Sequence, residues 1–350
     1  ASIQQIQTNL ATKTCPVTVD ITGVNATPVT APLTAYTIPK STPFTLKGSA
    51  TDANAGDVLT YCFEQNDNGT GQTGNNSVAR ENKPTGPNWL SFMPTLGNTR
   101  MMPKLTTVLA GLNVSPTLPG GDAIANTEAL SSVARTLNFR LTVRDNAVYS
   151  STAPISVGQT SFQDVAITVD AATGPFVVTA PNTTGISWQA TTQQTITWSV
   201  NGTSGAPINC QFVNIKLSTD GGTTFPITLA TNTANDGTET ITVPNNPTST
   251  ARVLVEAVGN IFFDINNANF TITVPPTGFN FVAPAAASIS CGSQNSAAIT
   301  LNTSASGGFS TPINLTAAGN PAGTTVSFGT NPLTPGNNTT VTLNNTNTLA

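Results

Sequence analysis

The stretch TLNFRLTV at residues 136–143 decides the fold class of this chain. Leu137, Phe139, Leu141 and Val143 alternate with polar side chains, and a period of two is typical of a β-strand with one buried face. The same alternation occurs in LTYCFE at residues 59–64 and in DVAITV at residues 164–169. We therefore predict a β-sheet that turns one face toward a core.

The composition extends this prediction to the whole chain. Only 8% of the 350 residues are charged, whereas 38% are hydrophobic. Ordinary soluble domains are about one quarter charged. The surface must therefore be covered by Thr, Asn, Ser and Gly, which suit half-exposed strands and turns. This balance favours an exported all-β protein, secreted or at the cell surface.

The chain contains no histidine. Histidine is the usual general base near neutral pH and the commonest metal ligand, so Ser-His-Asp and Cys-His systems and histidine zinc sites are excluded. The net charge of −4 comes without a basic cluster, which removes the electrostatic footprint of a nucleic-acid binder. No apolar run is long enough to span a membrane. The sequence thus predicts no catalysis by this chain.

Strand and turn signals divide the chain into tandem immunoglobulin-like β-sandwiches of the PKD or cadherin kind. We expect a helical remnant and linker at 1–28, because Ile3, Ile6 and Leu10 have helical spacing. The sandwiches are expected at 29–170, at 171–275 and, incomplete, at 276–350. The first carries a long insertion at about 68–130, which we expect to pack through Trp89, Phe92, Met101 and Leu109.

Acidic and amide side chains at strand ends form the best candidate site. The loop holding Asp52, Asn54 and Asp57 precedes one strand, Asp145 follows another, and Asp67 ends the strand begun at Leu59. Carboxylate and amide oxygens are ligands that Ca²⁺ prefers, so we predict a structural calcium site. The alternative is that these residues are ordinary turn formers bonded to their own backbone.

Three other features have structural explanations. Residues 218–225, STDGGTTF, fit the Asp-box pattern and predict a stabilised hairpin rather than an active site. Sugar binding would need an exposed tryptophan among Trp89, Trp188 and Trp198, whereas a strand tryptophan is usually core. A glycosidase would need two acids 5–9 Å apart, by the usual range for such enzymes, and no pair stands out among Glu64, Glu81, Glu128, Glu239 and Glu256.

The four cysteines, Cys15, Cys62, Cys210 and Cys291, form no CxxC pair, so a zinc ribbon and a thioredoxin motif are excluded. A Cys15–Cys62 disulfide and buried free thiols both stay open, and pairing of Cys210 with Cys291 is less favoured because they belong to different predicted domains.

Several segments resemble the region downstream of the catalytic domain in reprolysin-like zinc metallopeptidases secreted by Bacteroidetes. The resemblance covers about residues 1–275 and, more weakly, the third unit. It is carried by YTIPKSTPF at 36–44, GSATDAN at 48–54, LTYCFEQ at 59–65, PNW at 87–89, ALSSVARTLNFR at 129–140 and VEAVGNIFFD at 255–264.

This resemblance implies a parent protease whose zinc site lies before Ala1, export by the type IX secretion machinery and a sorting domain after Ala350. The zinc motif HExxHxxGxxH has no match here, so no catalytic residue can be carried over. The sandwiches would be spacers or would bind substrates, extracellular proteins or cell-surface components. Similar tandem domains occur in Bacteroidetes adhesins, so a structural or adhesive surface protein is the alternative.

Overall fold

The computed structural model describes residues 2–14, 19–120, 125–290 and 293–349. The chain forms two compact units. The first contains Ala1–Ile186, Gln194–Ile241 and Ser249–Phe270, and the second contains Ser187–Gln193, Thr242–Thr248 and Thr271–Ala350. The chain is almost entirely β, as predicted, and the short helix expected at its start is present.

The first sandwich occupies the early part of the first unit. Its elements are α1 (Ser2–Ala11), β1 (Val29–Thr30), β2 (Tyr36–Pro39), β3 (Phe44–Lys47), β4 (Ala50–Thr51), β5 (Thr60–Gln65), β6 (Thr99–Met102), α2 (Leu105–Leu109), β7 (Arg135–Arg144) and β8 (Thr160–Asp170). One sheet has the order β2-β8-β7-β5, and the pairs β3-β6 and β1-β4 form two smaller sheets. Strand β2 runs parallel to β8, while β7 pairs antiparallel with both neighbours.

The core of this sandwich lies between β7 and β3. Every apolar side chain of the 136–143 stretch is buried, as its alternation predicted. The ring of Phe44 on β3 meets the ring of Phe139 edge-on, with centroids 6.1 Å apart. At Gly48 a Cβ atom would overlap Cδ2 of Leu141, so any larger residue there would force the buried Leu141 side chain to move.

The predicted insertion contributes more than a packed loop, because β6 within it pairs antiparallel with β3. This strand is missing from the sequence prediction, which placed no strand between 68 and 130. Trp89 packs against Phe44, with ring centroids 5.7 Å apart, as expected of an anchor. Phe92 instead lies beneath two cations, with its centroid 4.5 Å from Cζ of Arg100 and 3.7 Å from Nζ of Lys104.

Residues 171–275 contain nine strands. They are β9 (Val177–Ala180), β10 (Ser187–Gln189), β11 (Gln193–Ser199), β12 (Phe212–Ser218), β13 (Ile227–Ala234), β14 (Thr238–Thr242), β15 (Thr248–Ala257), β16 (Phe263–Ile265) and β17 (Phe270–Thr273). In the first unit, β12 pairs antiparallel with β13 and β15, and β16 lies beside β15. Strands β9, β11 and β14 make the opposing sheet. In the second unit, β10 runs parallel to β17.

Buried side chains from both sheets fill this second core. Ile196 and Trp198 come from β11, and Val213, Ile215 and Leu217 come from β12. Two antiparallel sheets of this strand order with one apolar layer between them are an immunoglobulin-like sandwich. The predicted tandem sandwich architecture is therefore confirmed.

The two sandwiches share a junction inside the first unit. The N–H of Phe263 donates to the carbonyl of Pro43, and the N–H of Thr45 donates to the carbonyl of Ile261, each at 2.9 Å. An apolar cluster joins them, made of Val108, Leu254, Phe263 and Ile265 with Met101, Leu105, Leu109 and Phe225 packed against it. The insertion anchors Met101 and Leu109 thus pack at the junction.

The rest of the second unit contains β18 (Gly278–Val282), β19 (Ser296–Ser306), β20 (Thr325–Phe328) and β21 (Asn338–Asn344). These strands form one antiparallel sheet in the order β18-β19-β21-β20. Its core consists of Ile313, Leu315 and Leu333, with partly buried aromatic and leucine side chains around them. Ile313 and Leu315 lie outside the strands, and Ile313 makes an isolated bridge to Leu333.

Candidate functional site

Three of the five predicted calcium ligands converge at one end of the first sandwich. Asp52 follows β4, Asp57 precedes β5, and Asp145 follows β7 directly. One carboxylate oxygen from each of the three lies within 4.8 Å of the others. The register explains this convergence, because Thr60 at the start of β5 pairs with Arg144 at the end of β7. We call these three residues the carboxylate cluster.

Asp145 is the most buried member of the cluster, with an exposed fraction of 0%. Its two oxygens accept the N–H of Gln159 at 2.8 and 2.9 Å, and Oδ1 also accepts the N–H of Ala147 at 3.1 Å. The side-chain amide of Asn25 donates to Oδ2 at 2.8 Å. These donors fix the orientation of the carboxylate.

The carboxylate oxygens of Asp52 and Asp57 accept fewer hydrogen bonds than those of Asp145. Oδ1 of Asp52 accepts the N–H of Asn54 at 2.8 Å, which shapes the loop. The other oxygen of Asp52 and Oδ2 of Asp57 are buried atoms with no hydrogen-bond donor among the described residues. Burial raises the pKa of Asp57 above its usual value, and the nearby charges of Asp145 and Asp52 raise it further. Buried oxygens without a donor are costly, so a proton, a water molecule or a cation would stabilise this arrangement.

The other two predicted ligands serve other purposes. Oδ1 of Asn54 accepts the N–H of Ala26 at 2.8 Å, and its amide donates to the carbonyl of Val24 at 3.0 Å, so it fastens the N-terminal segment. Asp67 follows the opposite end of β5, and five residue steps along a strand span about 17 Å. The prediction that Asp67 joins the site is wrong, because the length of β5 separates Asp67 from the carboxylate cluster.

Asp67 is engaged at its own end of the sheet. It accepts the side-chain amide of Asn138 at 2.6 Å, bonds the amide of Gln65 and lies 3.5 Å from the guanidinium of Arg135. Its position is explained by an ion pair and strand-end hydrogen bonds, without any ligand.

Asn25 is the residue that sequence reasoning missed. It is 2% exposed, and its amide donates both to Asp145 and, at 2.9 Å, to the carbonyl of Val157. The sequon Asn-Ala-Thr at 25–27 gave no hint of this buried role. The residue lies in the segment assigned to the linker, so no strand pattern pointed to it.

Chemically, the cluster suits a hard divalent cation. Ca²⁺ takes six to eight oxygen ligands in a flexible geometry, whereas Mg²⁺ demands a near-ideal octahedron and keeps several waters. Asp52, Asp57 and Asp145 would supply carboxylate oxygens, and water or main-chain carbonyls would complete the sphere. Among the described residues, none of the three carboxylates forms an ion pair with Lys or Arg.

The Asp-box segment is the stabilised hairpin that its pattern predicted. It connects β12 to β13, and the Ser218 hydroxyl donates to Oδ1 of Asp220 at 2.6 Å. Asp220 also accepts the N–H and hydroxyl of Thr224 at 3.0 and 2.7 Å. These bonds, the one from Ser218 foremost, lower the pKa of Asp220 to about 2. Phe225 packs beneath the turn against the junction cluster.

The three tryptophans are buried, and three of the five glutamates have partners within the fold. Trp89, Trp188 and Trp198 are 4, 6 and 4% exposed, so the exposed stacking surface that sugar binding would need is absent from all three. Glu128 is buried and pairs with Arg100 at 2.8 Å, and Glu256 pairs with Lys216 at 2.7 Å. Glu81 accepts the side-chain amide of Asn113.

Cys62 and Cys210 are buried free thiols, and each donates to a main-chain carbonyl, of Phe92 and Phe212 respectively, at 3.2 Å. Burial raises the pKa of both thiols. Cys15 and Cys291 lie outside the described residues, as does any disulfide they would form. Within the described chain, no helix has the length and apolar character needed to cross a membrane.

No protein-family model and no curated protein matches this chain. Solved structures with some similarity are built from immunoglobulin-like or fibronectin-like domains. The complex of Dpr2 Ig1-Ig2 with DIP-Theta Ig1-Ig3 is 11% identical, with 91% of this chain and 88% of that chain covered and a TM-score of 0.17.

The tandem V-type regions of VCBP3, a v-region-containing chitin binding protein, are 12% identical, with 71% of this chain and all of that chain (100%) covered and a TM-score of 0.21. The FN1-FN3 domains of chicken CNTN1 are 11% identical, with 75 and 71% covered and a TM-score of 0.18. Scores this low carry no argument about function, which rests on the chain's own residues.

Proposed function

We propose that this chain is a non-catalytic, exported module of tandem immunoglobulin-like sandwiches whose first sandwich is stiffened by a calcium ion. The observation that carries this is the carboxylate cluster with its two buried, unpaired oxygens. A cation there would join the loop before β5, the end of β7 and, through Asn25, the N-terminal segment. Such a clamp suits a spacer or an attachment surface that must hold its shape.

Thermal unfolding with added calcium or with chelator tests this function. Calcium that binds only the folded state should raise the melting temperature by several degrees, and chelator should reverse the rise. Asp57→Asn and Asp145→Asn should abolish the calcium effect, whereas Asp236→Asn, at an exposed position in the second sandwich, should keep it. Magnesium should stabilise less. Melting curves that calcium leaves unchanged would refute the calcium site.

The finer proposal places this module downstream of the catalytic domain of a secreted reprolysin-like metallopeptidase. It is supported by the sequence resemblance and by the lack of histidine, which leaves zinc chemistry to another part of a parent polypeptide. A complete reading frame that encodes HExxHxxGxxH before Ala1 would support it. A reading frame with further sandwiches in that place would favour the alternative, a structural or adhesive surface protein.

Export is proposed by the type IX route, to the medium or to the cell surface. It is supported by the low charge of the chain and its sandwich architecture. Antibody detection on intact cells and in the culture medium tests the location. Detection only after lysis would contradict it, and unchanged export when type IX secretion is disabled would contradict the route.

A further inference from the structure

A cavity of about 740 Å³ opens in the first unit between the two sandwiches. The first sandwich contributes Tyr36, Lys47 and Met101 to its wall, and the second contributes Lys216, Phe225 and Glu256. Cavities of roughly 300–1,000 Å³ are the usual size of sites for small ligands and short peptide segments. We call this cavity the junction groove. The carboxylate cluster takes no part in it.

The walls of the groove are fixed before any ligand arrives. Asn260, at its edge, donates from its side-chain amide to the carbonyl of Thr37 at 2.9 Å. The main-chain bonds from Thr45 to Ile261 and from Phe263 to Pro43 cross the same junction. A preformed site avoids much of the ordering cost of binding.

The groove combines apolar and cationic surface. Tyr36, Met101 and Phe225 are partly exposed there and offer apolar contact. Lys216 is paired with Glu256 at 2.7 Å, whereas the side chain of Lys47 is exposed and its ammonium has no ion pair or hydrogen bond among the described residues. Two lysines and one glutamate give the wall a charge of +1, in a chain whose net charge is −4. This local excess is complementary to an anionic group.

The Asp-box hairpin forms part of the same wall. Thr223, Thr224 and Phe225 line the groove, and the Ser218–Asp220 bond holds their turn. The hairpin therefore also fixes the position of one wall of the junction groove. The hydroxyls of Thr223 and Thr224 already donate to Asp220, so they can accept main-chain N–H groups of a bound segment but cannot donate to it.

We propose that the junction groove binds an extended peptide segment that places a carboxylate at Lys47 and an aromatic or aliphatic side chain against Met101 and Phe225. A peptide satisfies the three features of the wall together: the unpaired ammonium, the apolar surface and the hydroxyl groups. A neutral sugar would bring no charge to pair with the ammonium of Lys47. This site goes beyond the proposed calcium-stiffened spacer and gives the module a protein ligand.

Fluorescence anisotropy with three labelled, terminally blocked pentapeptides tests the proposal on the full chain. Their sequence is Ser-Phe-Glu-Val-Thr, with Gln or Lys replacing Glu in the other two. The Glu peptide should bind about two- to fivefold more tightly than the Gln peptide, since an ion pair with an exposed ammonium contributes on that scale. The Lys peptide should bind more weakly still.

Variants locate the binding on the chain. Lys47→Gln should weaken binding of the Glu peptide about two- to fivefold and remove its advantage over the Gln peptide, while Lys47→Arg should restore both. Lys13→Gln, beyond the exposed helix α1, is the matched control and should bind as the wild type does. Position 47 is exposed, so unchanged melting curves will confirm that the variants fold. Equal binding of the Glu and Gln peptides, or a Lys47→Gln variant that binds normally, would overturn the proposal.

Discussion

The side-chain amide of Asn25 donates a 2.8 Å hydrogen bond to Oδ2 of Asp145, 120 residues further along the chain. This bond connects the segment before the first strand to the end of β7. It holds the Asp145 carboxylate beside Asp52 and Asp57, so the geometry of the carboxylate cluster depends on a residue that is not a ligand.

Asn25→Ala should lower the free energy of unfolding by about 1–2 kcal/mol, because it removes one hydrogen bond to the Asp145 carboxylate and one to the carbonyl of Val157. Gln159 still donates to both acceptors, so neither is left without a donor. Urea unfolding measures this. Asn280→Ala, at an exposed strand position, should change stability by less than about 0.5 kcal/mol. Equal losses in the two variants would contradict the role of Asn25.

Asp57→Asn should act in opposite directions with and without calcium. The pKa of Asp57 is raised in the folded state, so in the absence of metal its ionisation costs stability as the pH rises from the unfolded-state pKa through the folded one. At pH 7 in chelator, the variant should therefore melt at the same temperature as the wild type or higher. In calcium it should melt lower, since a ligand is lost.

The test is whether the variant melts at the same or a higher temperature than the wild type in chelator but at a lower temperature in calcium. A variant that is less stable than the wild type by the same amount in both conditions would mean that Asp57 has only a structural role. Calcium affinity of the wild type should also fall on acidification, because protons compete for the same oxygens.

Asp264→Asn should flatten the pH dependence of stability. Burial raises the pKa of Asp264 to about 7, against the opposing hydrogen bonds from the N–H groups of Val178 and Ile265. The pKa of Asp264 is higher in the folded state than in the unfolded state. The stability that the protonated carboxyl group contributes is therefore fully present below about pH 4 and is lost as the pH rises to 7. Urea unfolding of both proteins between pH 4 and 8 gives the difference curve.

That difference should change steadily up to about pH 7 and stay constant above it. Among the residues that line the adjoining cavity of about 160 Å³, Asp264 is the one ionisable side chain, so no neighbour there complicates its titration. A difference curve that is level across the range would contradict the raised pKa.

Phe263→Ala should lower the free energy of unfolding, measured by urea unfolding, by about 3–5 kcal/mol, the usual range for a buried phenylalanine. Phe263 is 4% exposed and belongs to the cluster shared by the two sandwiches. Phe212→Ala is the matched control. Phe212 is 49% exposed, so this substitution should lower the free energy of unfolding by less than about 1 kcal/mol. Similar losses in both variants would show that the junction cluster contributes little.

Much of the fold follows from local pattern. The alternation at 136–143 and the helical spacing in the first residues predicted β7 and α1, because each reports which side of an element is apolar. Strand β6 was missed because TRMM at 99–102 has no alternation, and it becomes a strand by pairing with β3. Its pairing, rather than its own pattern, makes it extended.

The candidate site shows the same division. Asp52, Asp57 and Asp145 were predicted because strand-end acids in a sandwich gather at its two ends, but the sequence alone could not assign Asp67 to the opposite end. Asn25 and the junction groove carry no local signal, since each depends on segments far apart in the chain.

The sequence by itself determined that this chain is all-β, poor in charge and without histidine chemistry, because period-two patterning and composition are local properties. The tertiary structure decided which acids form the carboxylate cluster, which lysine of the junction groove has an ion pair and where the sandwiches join. These outcomes depend on strand register and on contacts between distant segments, and neither is a property of any single stretch of the chain.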